Sequence, residues 1–189
     1  MESFAKMKAV SFRAWDTDFF GVPIGEAVWN PASGVSLAAL EQEARAKGVR
    51  CLYIFCDEKN GELPSGFLGE GFKLVEERIL YAWDPAAQPA AEAKAGPLMR
   101  LVRDEDMPEL RRIAHAFVPT SRFFRDGAFS PELCRRYYSV FVDKEFRENS
   151  KTFWVAEIEG RPAGFMTLQK ESPKEGRIVL IAVNPDMQG

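Results

Sequence analysis

Histidine is almost missing from this chain and cysteine is scarce, with one His and three Cys among 189 residues. A metal centre built on the single imidazole, His115, would need carboxylates gathered around it, and the sequence shows no such grouping, so no metal is expected. Cys51, Cys56 and Cys134 are odd in number and lack paired metal-type spacing, so they read as buried thiols. Cys51 and Cys56 lie five residues apart on one expected strand and therefore face opposite sides. No apolar run approaches the roughly 18 residues that a membrane span needs. Met1 to Phe12 carries isolated apolar residues without a small-residue cleavage site, so no secretory signal is expected and the cytoplasm is the expected location. Net charge is only −3, with 25 basic and 28 acidic residues spread along the chain. The concentrated basic footprint of a nucleic-acid binder is absent, so neither nucleic acid nor membrane is expected as a partner.

What remains is a chain with 46% hydrophobic and 28% charged residues, the balance of an ordinary globular protein. Its clearest boundary is Asp84 to Pro97, an Ala- and Pro-rich stretch without hydrophobic periodicity. Three segments follow: a small α/β domain over 1–84, a linker over 85–97 and a larger domain over 98–189. In the first, Ser36 precedes apolar residues at Leu37, Ala38, Leu40 and Ala44, and Gly48 ends the pattern, which predicts a helix. Arg50 to Cys56 and Leu74 to Trp83 are rich in strand formers and read as strands. Trp15, Phe19 and Phe20 read as core of this domain.

Beyond the linker, Met99 to Val102 reads as a short strand. Asp104 or Asp106 can cap a helix from about Met107 to Phe117, with Leu110, Ile113, Ala114 and Phe117 on one face. A loop holding Arg122, Phe123, Phe124 and Arg125 leads to a second helix, which starts at Ser130-Pro131-Glu132 and runs to about Lys144. Thr152 to Ile158 and Ala163 to Gln169 flank the turn-rich Glu159-Gly160-Arg161-Pro162 and predict a hairpin. Arg177 to Val183 is nearly all apolar, as expected of a central strand covered on both faces.

The order strand, helix, helix, hairpin, apolar strand, ending in Ala182-Val183-Asn184-Pro185-Asp186-Met187-Gln188-Gly189, resembles the first two-thirds of an N-acetyltransferase domain of the GNAT superfamily. In that superfamily a V-x-P-x-x-Q/R segment leaves the fourth strand and opens the Q/R-x-x-G-x-G/A loop that holds the cofactor's pyrophosphate. Gln188 and Gly189 match the first two positions, and the resemblance therefore implies a C-terminally truncated domain. Two further segments resemble the group of dTDP-fucosamine acetyltransferases, which acetylate a nucleotide-linked amino sugar. These are Trp15-Asp16-Thr17-Asp18-Phe19-Phe20-Gly21, and Thr120-Ser121-Arg122-Phe123 followed by Arg136-Tyr137-Tyr138.

The fold so implied is α/β of the α+β type, a mixed central sheet flanked by helices, incomplete at the C-terminus and preceded by a small N-terminal α/β domain. The implied activity is transfer of acetyl from acetyl-CoA, as co-substrate, to a primary amine by direct attack on the thioester. Ile181, Ala182 and Val183 would bond the pantetheine amides as a neighbouring strand would, and Gln188 and Gly189 would meet the pyrophosphate. Arg122, Phe123, Phe124 and Arg125 would line the acceptor side, Arg gripping phosphate oxygens and Phe stacking on a base or sugar. The superfamily's usual acid, a Tyr on a later helix, would lie beyond Gly189, so no catalytic residue is assigned and this chain is expected to be inactive by itself. The expected partner is a small-molecule amine, with a homodimer left open. Two alternatives stand beside it: acetylation of a protein N-terminus or Lys, and a non-catalytic ligand-binding module.

Overall fold

The computed structural model describes residues 10–56, 67, 69, 71–79, 81–84 and 96–188. The chain divides into two compact units, Met1–Leu74 and Val75–Gly189. Most of the expected linker, 85–95, lies outside the described residues, and the residues from Val75 that precede it group with the second unit.

In the first unit, β1 (Ser11–Phe12), α1 (Ala14–Phe20), β2 (Ile24–Trp29), α2 (Leu37–Ala46) and β3 (Cys51–Cys56) build a three-stranded sheet of order β1-β2-β3. β1 runs antiparallel to β2, and β2 runs parallel to β3. A parallel pair needs a crossover, and α2 supplies it. That helix begins where expected, with the Ser36 hydroxyl accepting the Ala39 N–H at 3.1 Å, and Gly48 follows its end at φ +72°. Val10, Ala27, Leu40, Ala44 and Val49 form the core. The Trp-x-x-x-Phe-Phe-Gly segment is α1 itself, closed by Gly21 in the left-handed conformation. Phe20 is buried, whereas Trp15 and Phe19 are half-buried and stacked at 6.1 Å. Of the three cysteines, Cys134 is buried and Cys51 and Cys56 are half-buried.

The expected strand Leu74 to Trp83 is not formed. Its described residues take up no helix or strand, and Ile79, Tyr81 and Trp83 are exposed. Strand-forming composition is only a preference for a half-buried pleated surface, and no strand pairs with this segment among the described residues.

In the second unit, β4 (Leu98–Leu101), β5 (Phe153–Ile158), β6 (Arg161–Lys170) and β7 (Gly176–Val183) form an antiparallel sheet of order β4-β5-β6-β7. Between β4 and β5 run α3 (Met107–Ala114), α4 (Arg122–Asp126) and α5 (Pro131–Asn149). The fold is thus mixed α+β, with helices against the sheet. α3 and α5 pack on each other and on one face of the sheet, where Leu110, Ile113, Val142, Phe153 and Val155 are fully buried. Each such side chain contributes about 1.5–3 kcal/mol of burial free energy. The hairpin turn is Glu159-Gly160 alone, both at positive φ, as a two-residue turn of the primed type requires.

Three local expectations are corrected. Asp106 does not cap α3, because its carboxylate is occupied by the Arg103 N–H and the Arg100 guanidinium. The segment between the two long helices is no open loop, since Ser121 caps α4 through the Phe123 N–H and Gly127 at φ +77° ends it. β7 is not covered on both faces. It is the last strand of the sheet, with Ile178, Ile181 and Val183 about half exposed.

Candidate active site

The end of β7 carries the first feature. Antiparallel ladders exchange both main-chain bonds between every second facing pair, and one known bond therefore fixes the rest. The Asn184 N–H donates to the Ala163 carbonyl at 2.8 Å, and Ala182 faces Phe165 in the same register. Asn184/Ala163 and Ala182/Phe165 are consequently the bonded pairs. The intervening residues, Ile181 and Val183, aim their main-chain N–H and C=O groups away from β6 toward the open edge. The side chains follow the same alternation: Ala182 is buried in the core, and Ile181 and Val183 stand on the opposite face.

Two details hold this edge in place. The register shifts between Thr167 and Leu168, leaving one extra residue in β7 opposite them, and the Leu180 N–H there donates to the fully buried Thr167 hydroxyl at 3.1 Å. At the other end, a Cβ on Gly164 would lie 2.7 Å from the Ala182 carbonyl oxygen, so glycine permits the close approach of β6.

Against this edge lies a cleft of about 440 Å³, bounded by Ile181, Ala182 and Val183, by Ala116 and Phe117 after α3, and by Met187 and Gln188. The buried Asn184 side chain opens the turn Pro185–Met187 by accepting the Asp186 N–H at 3.1 Å. Gln188 Nε2 then donates to the outward Val183 carbonyl at 3.1 Å. Of the residues expected to hold the cofactor, Ile181, Ala182, Val183 and Gln188 line this one cleft, and Gly189 lies outside the described residues. Ala182 contributes surface only, because its main-chain groups face Phe165.

A second, smaller cavity of about 110 Å³ touches the preceding β7 residue, Leu180. Arg122 and Phe123 line it together with Glu76, Arg78, Tyr137, Tyr138 and Phe141. Phe124 and Arg125 do not. α4 turns them to the surface, while Arg122 and Phe123 are buried. The rings join the two hollows, because Phe117 of the larger cleft stacks on Tyr138 of the smaller at 5.4 Å. Burial pushes the Tyr138 phenol above its usual range, partly offset by a hydrogen bond with Ser121. Glu76 and Arg78 carry no signal of a site in the sequence, because the consecutive charged residues Glu76, Glu77 and Arg78 read as a solvated stretch.

The other candidate proton carriers lie elsewhere. Glu157 accepts Arg100 Nε at 2.6 Å within the sheet. His115 Nε2 is 3.0 Å from the Ser139 hydroxyl between α3 and α5, and burial, with Arg135 nearby, lowers its pKa. Among the described residues no cluster of His, Cys, Asp or Glu could hold a metal, and no helix is long and apolar enough to cross a membrane.

Residues 110–189 match the Acetyltransferase (GNAT) family. That span takes in most of α3, everything from there to β7 and the turn after it, and the whole of the larger cleft. No curated protein matches the chain. Among solved structures, the PH1933 protein of Pyrococcus horikoshii OT3 is similar at 19% identity and a TM-score of 0.36, over 49% of this chain and 60% of that one. A GCN5-related N-acetyltransferase of Rhodopseudomonas palustris, also named an aminotransferase of class II, is similar at 21% identity and a TM-score of 0.35, over 53% and 60%. The match thus spans three-fifths of each of those chains.

Proposed function

We propose that the second unit belongs to an N-acetyltransferase, and that the open end of β7 aligns acetyl-CoA for attack by a primary amine. The reading is carried by one observation: Ile181 and Val183 direct strand-type donors and acceptors into a cleft, inside the span that matches the GNAT family. Such groups suit the amides of a pantetheine arm, which would add to the sheet edge as a strand does.

Acetyl-CoA, when bound, would supply an activated thioester. Ile181 N–H, fixed by the ladder, would then face the carbonyl oxygen and stabilise the charge that develops on it. Gln188 and the turn that Asn184 opens would stand toward the pyrophosphate. No titratable side chain lines this cleft among the described residues, so the work assigned to it is alignment and charge stabilisation. The acceptor would enter from the smaller cavity, where Arg122 and Phe123 suit a nucleotide-linked amino sugar. A GNAT-type module that binds without chemistry is the reading favoured by that lack of titratable groups.

Calorimetric titration with acetyl-CoA tests the proposal. Saturable binding that Val183→Pro weakens at least tenfold, with thiol release once an amine is added, supports it. Absence of any binding removes it, and binding without thiol release across nucleotide amino sugars, peptides and simple amines leaves the module.

A further inference from the structure

The smaller cavity holds an ion arrangement that alignment of acetyl-CoA does not use. Glu76 Oε2 accepts both Nε and Nη2 of Arg78, at 2.9 and 2.7 Å, and lies 3.9 Å from Arg122 Nη1. One oxygen thus receives a forked guanidinium with a second guanidinium behind it, the geometry that arginine offers a phosphate or carboxylate oxygen. Phe123, Tyr137, Tyr138 and Phe141 form the aromatic part of its lining, while Arg78 reaches to the surface. Glu76 comes from Val75–Ile79, which is neither helix nor strand, so no ladder of main-chain bonds fixes its backbone. Arg78 shares that segment, whereas Arg122 is held on α4, where its side chain is about one-tenth exposed and lies over the Phe123 ring at 4.9 Å.

We propose that Glu76 is an internal stand-in for an anionic group of the amine acceptor, which displaces it from Arg78 and Arg122 on binding. This rests on the acetyltransferase reading and narrows it: the acceptor is an amine that also carries a phosphate or carboxylate. A polyamine or a neutral amine would bring nothing to exchange for Glu76. The cavity's position beside Leu180, one residue before the open end of β7, places the anion next to the cleft. Because the stand-in competes, it weakens binding of every such anion.

Isothermal titration of the whole chain with inorganic phosphate tests this, with a nucleoside diphosphate and β-alanine as further arms. Glu76→Gln, and separately Glu76→Ala, should bind phosphate about tenfold more tightly than the parent, while Arg122→Gln should bind about tenfold more weakly. Thermal midpoints confirm that each variant is folded, and two Glu76 variants guard against the failure of one. A nucleoside diphosphate that outbinds β-alanine identifies the phosphate source, the reverse order identifies a carboxylate source, and either supports the exchange. Unchanged or weaker phosphate binding in the folded Glu76 variants overturns it. Acetyl-CoA is titrated separately: its failure to bind removes the acetyltransferase reading, whereas its binding alongside an unresponsive Glu76 removes only the stand-in.

Discussion

Arg100 shows how a polar side chain can be stabilising in the interior. Its Nη1 and Nη2 donate to the two carboxylate oxygens of Asp106 at 2.7 Å each, and its Nε donates to Glu157 at 2.6 Å, so β4, β5 and the turn before α3 are tied together. The hydrogen bond to Asp106 is the main reason the Arg100 pKa is raised, and the guanidinium stays charged. Burial alone would raise the Asp106 pKa, but Arg100 and the Arg103 N–H outweigh it and hold the carboxyl below its ordinary 3.8. That stabilisation is therefore present above pH 3.8 and is lost as pH falls through the lowered folded value. Asp106→Ala should lower the unfolding free energy by about 3 kcal/mol in a urea titration, because it leaves a mostly buried charge short of its partner. His115 has the opposite charge and the same sign of pH dependence. Its folded pKa lies below the ordinary 6.5, so the unfolded chain binds the proton first and stability falls as pH drops below 6.5. Thermal midpoints should accordingly fall less between about pH 7 and 5 in His115→Gln than in the parent.

Elements marked by local chemistry are legible in the amino-acid sequence alone. Ser36 with Gly48, Ser130 with Pro131, and Glu159-Gly160 each announce a boundary through a side-chain or backbone preference that needs no distant partner, and each lies where expected. α4 is harder to read although its cap and its glycine are visible, because five residues give no periodicity. The apolar run of β7 misleads for a different reason. Periodicity reports that a strand's faces can be buried, and only the order of strands decides whether anything covers them. That order leaves the open main-chain groups of Ile181 and Val183 beside the larger cleft, and it separates two substitutions of one kind. Ile181→Pro removes an N–H that makes no ladder bond, so the thermal midpoint should stay within a few degrees while acetyl-CoA binding is lost. Ala182→Pro removes the ladder bond to Phe165 and should lower the midpoint much further. Equal midpoints would show the alternation to be wrong.

Across the chain, composition marks a boundary at Asp84 to Pro97, but the placement of the residues from Val75 with the second unit cannot be read from it. They continue the strand-forming character of the residues before them, and only long-range packing with the second unit separates them. The same distance hides the smaller cavity, where Glu76 and Arg78 meet Arg122 from far along the chain. By contrast, the larger cleft is built from residues within 116–188, and four of its members, Ile181, Ala182, Val183 and Gln188, stand in or beside the motif that ends the sequence. The account depends most on that cleft edge, and amide-resolved hydrogen exchange reads it directly. In the free protein Ala182 and Asn184 should exchange slowly and Ile181 and Val183 fast, and saturating acetyl-CoA should slow Ile181 and Val183 alone. Slow exchange at all four positions without ligand, or no slowing of Ile181 and Val183 with it, would contradict the claim that β7 offers an open edge to the cofactor.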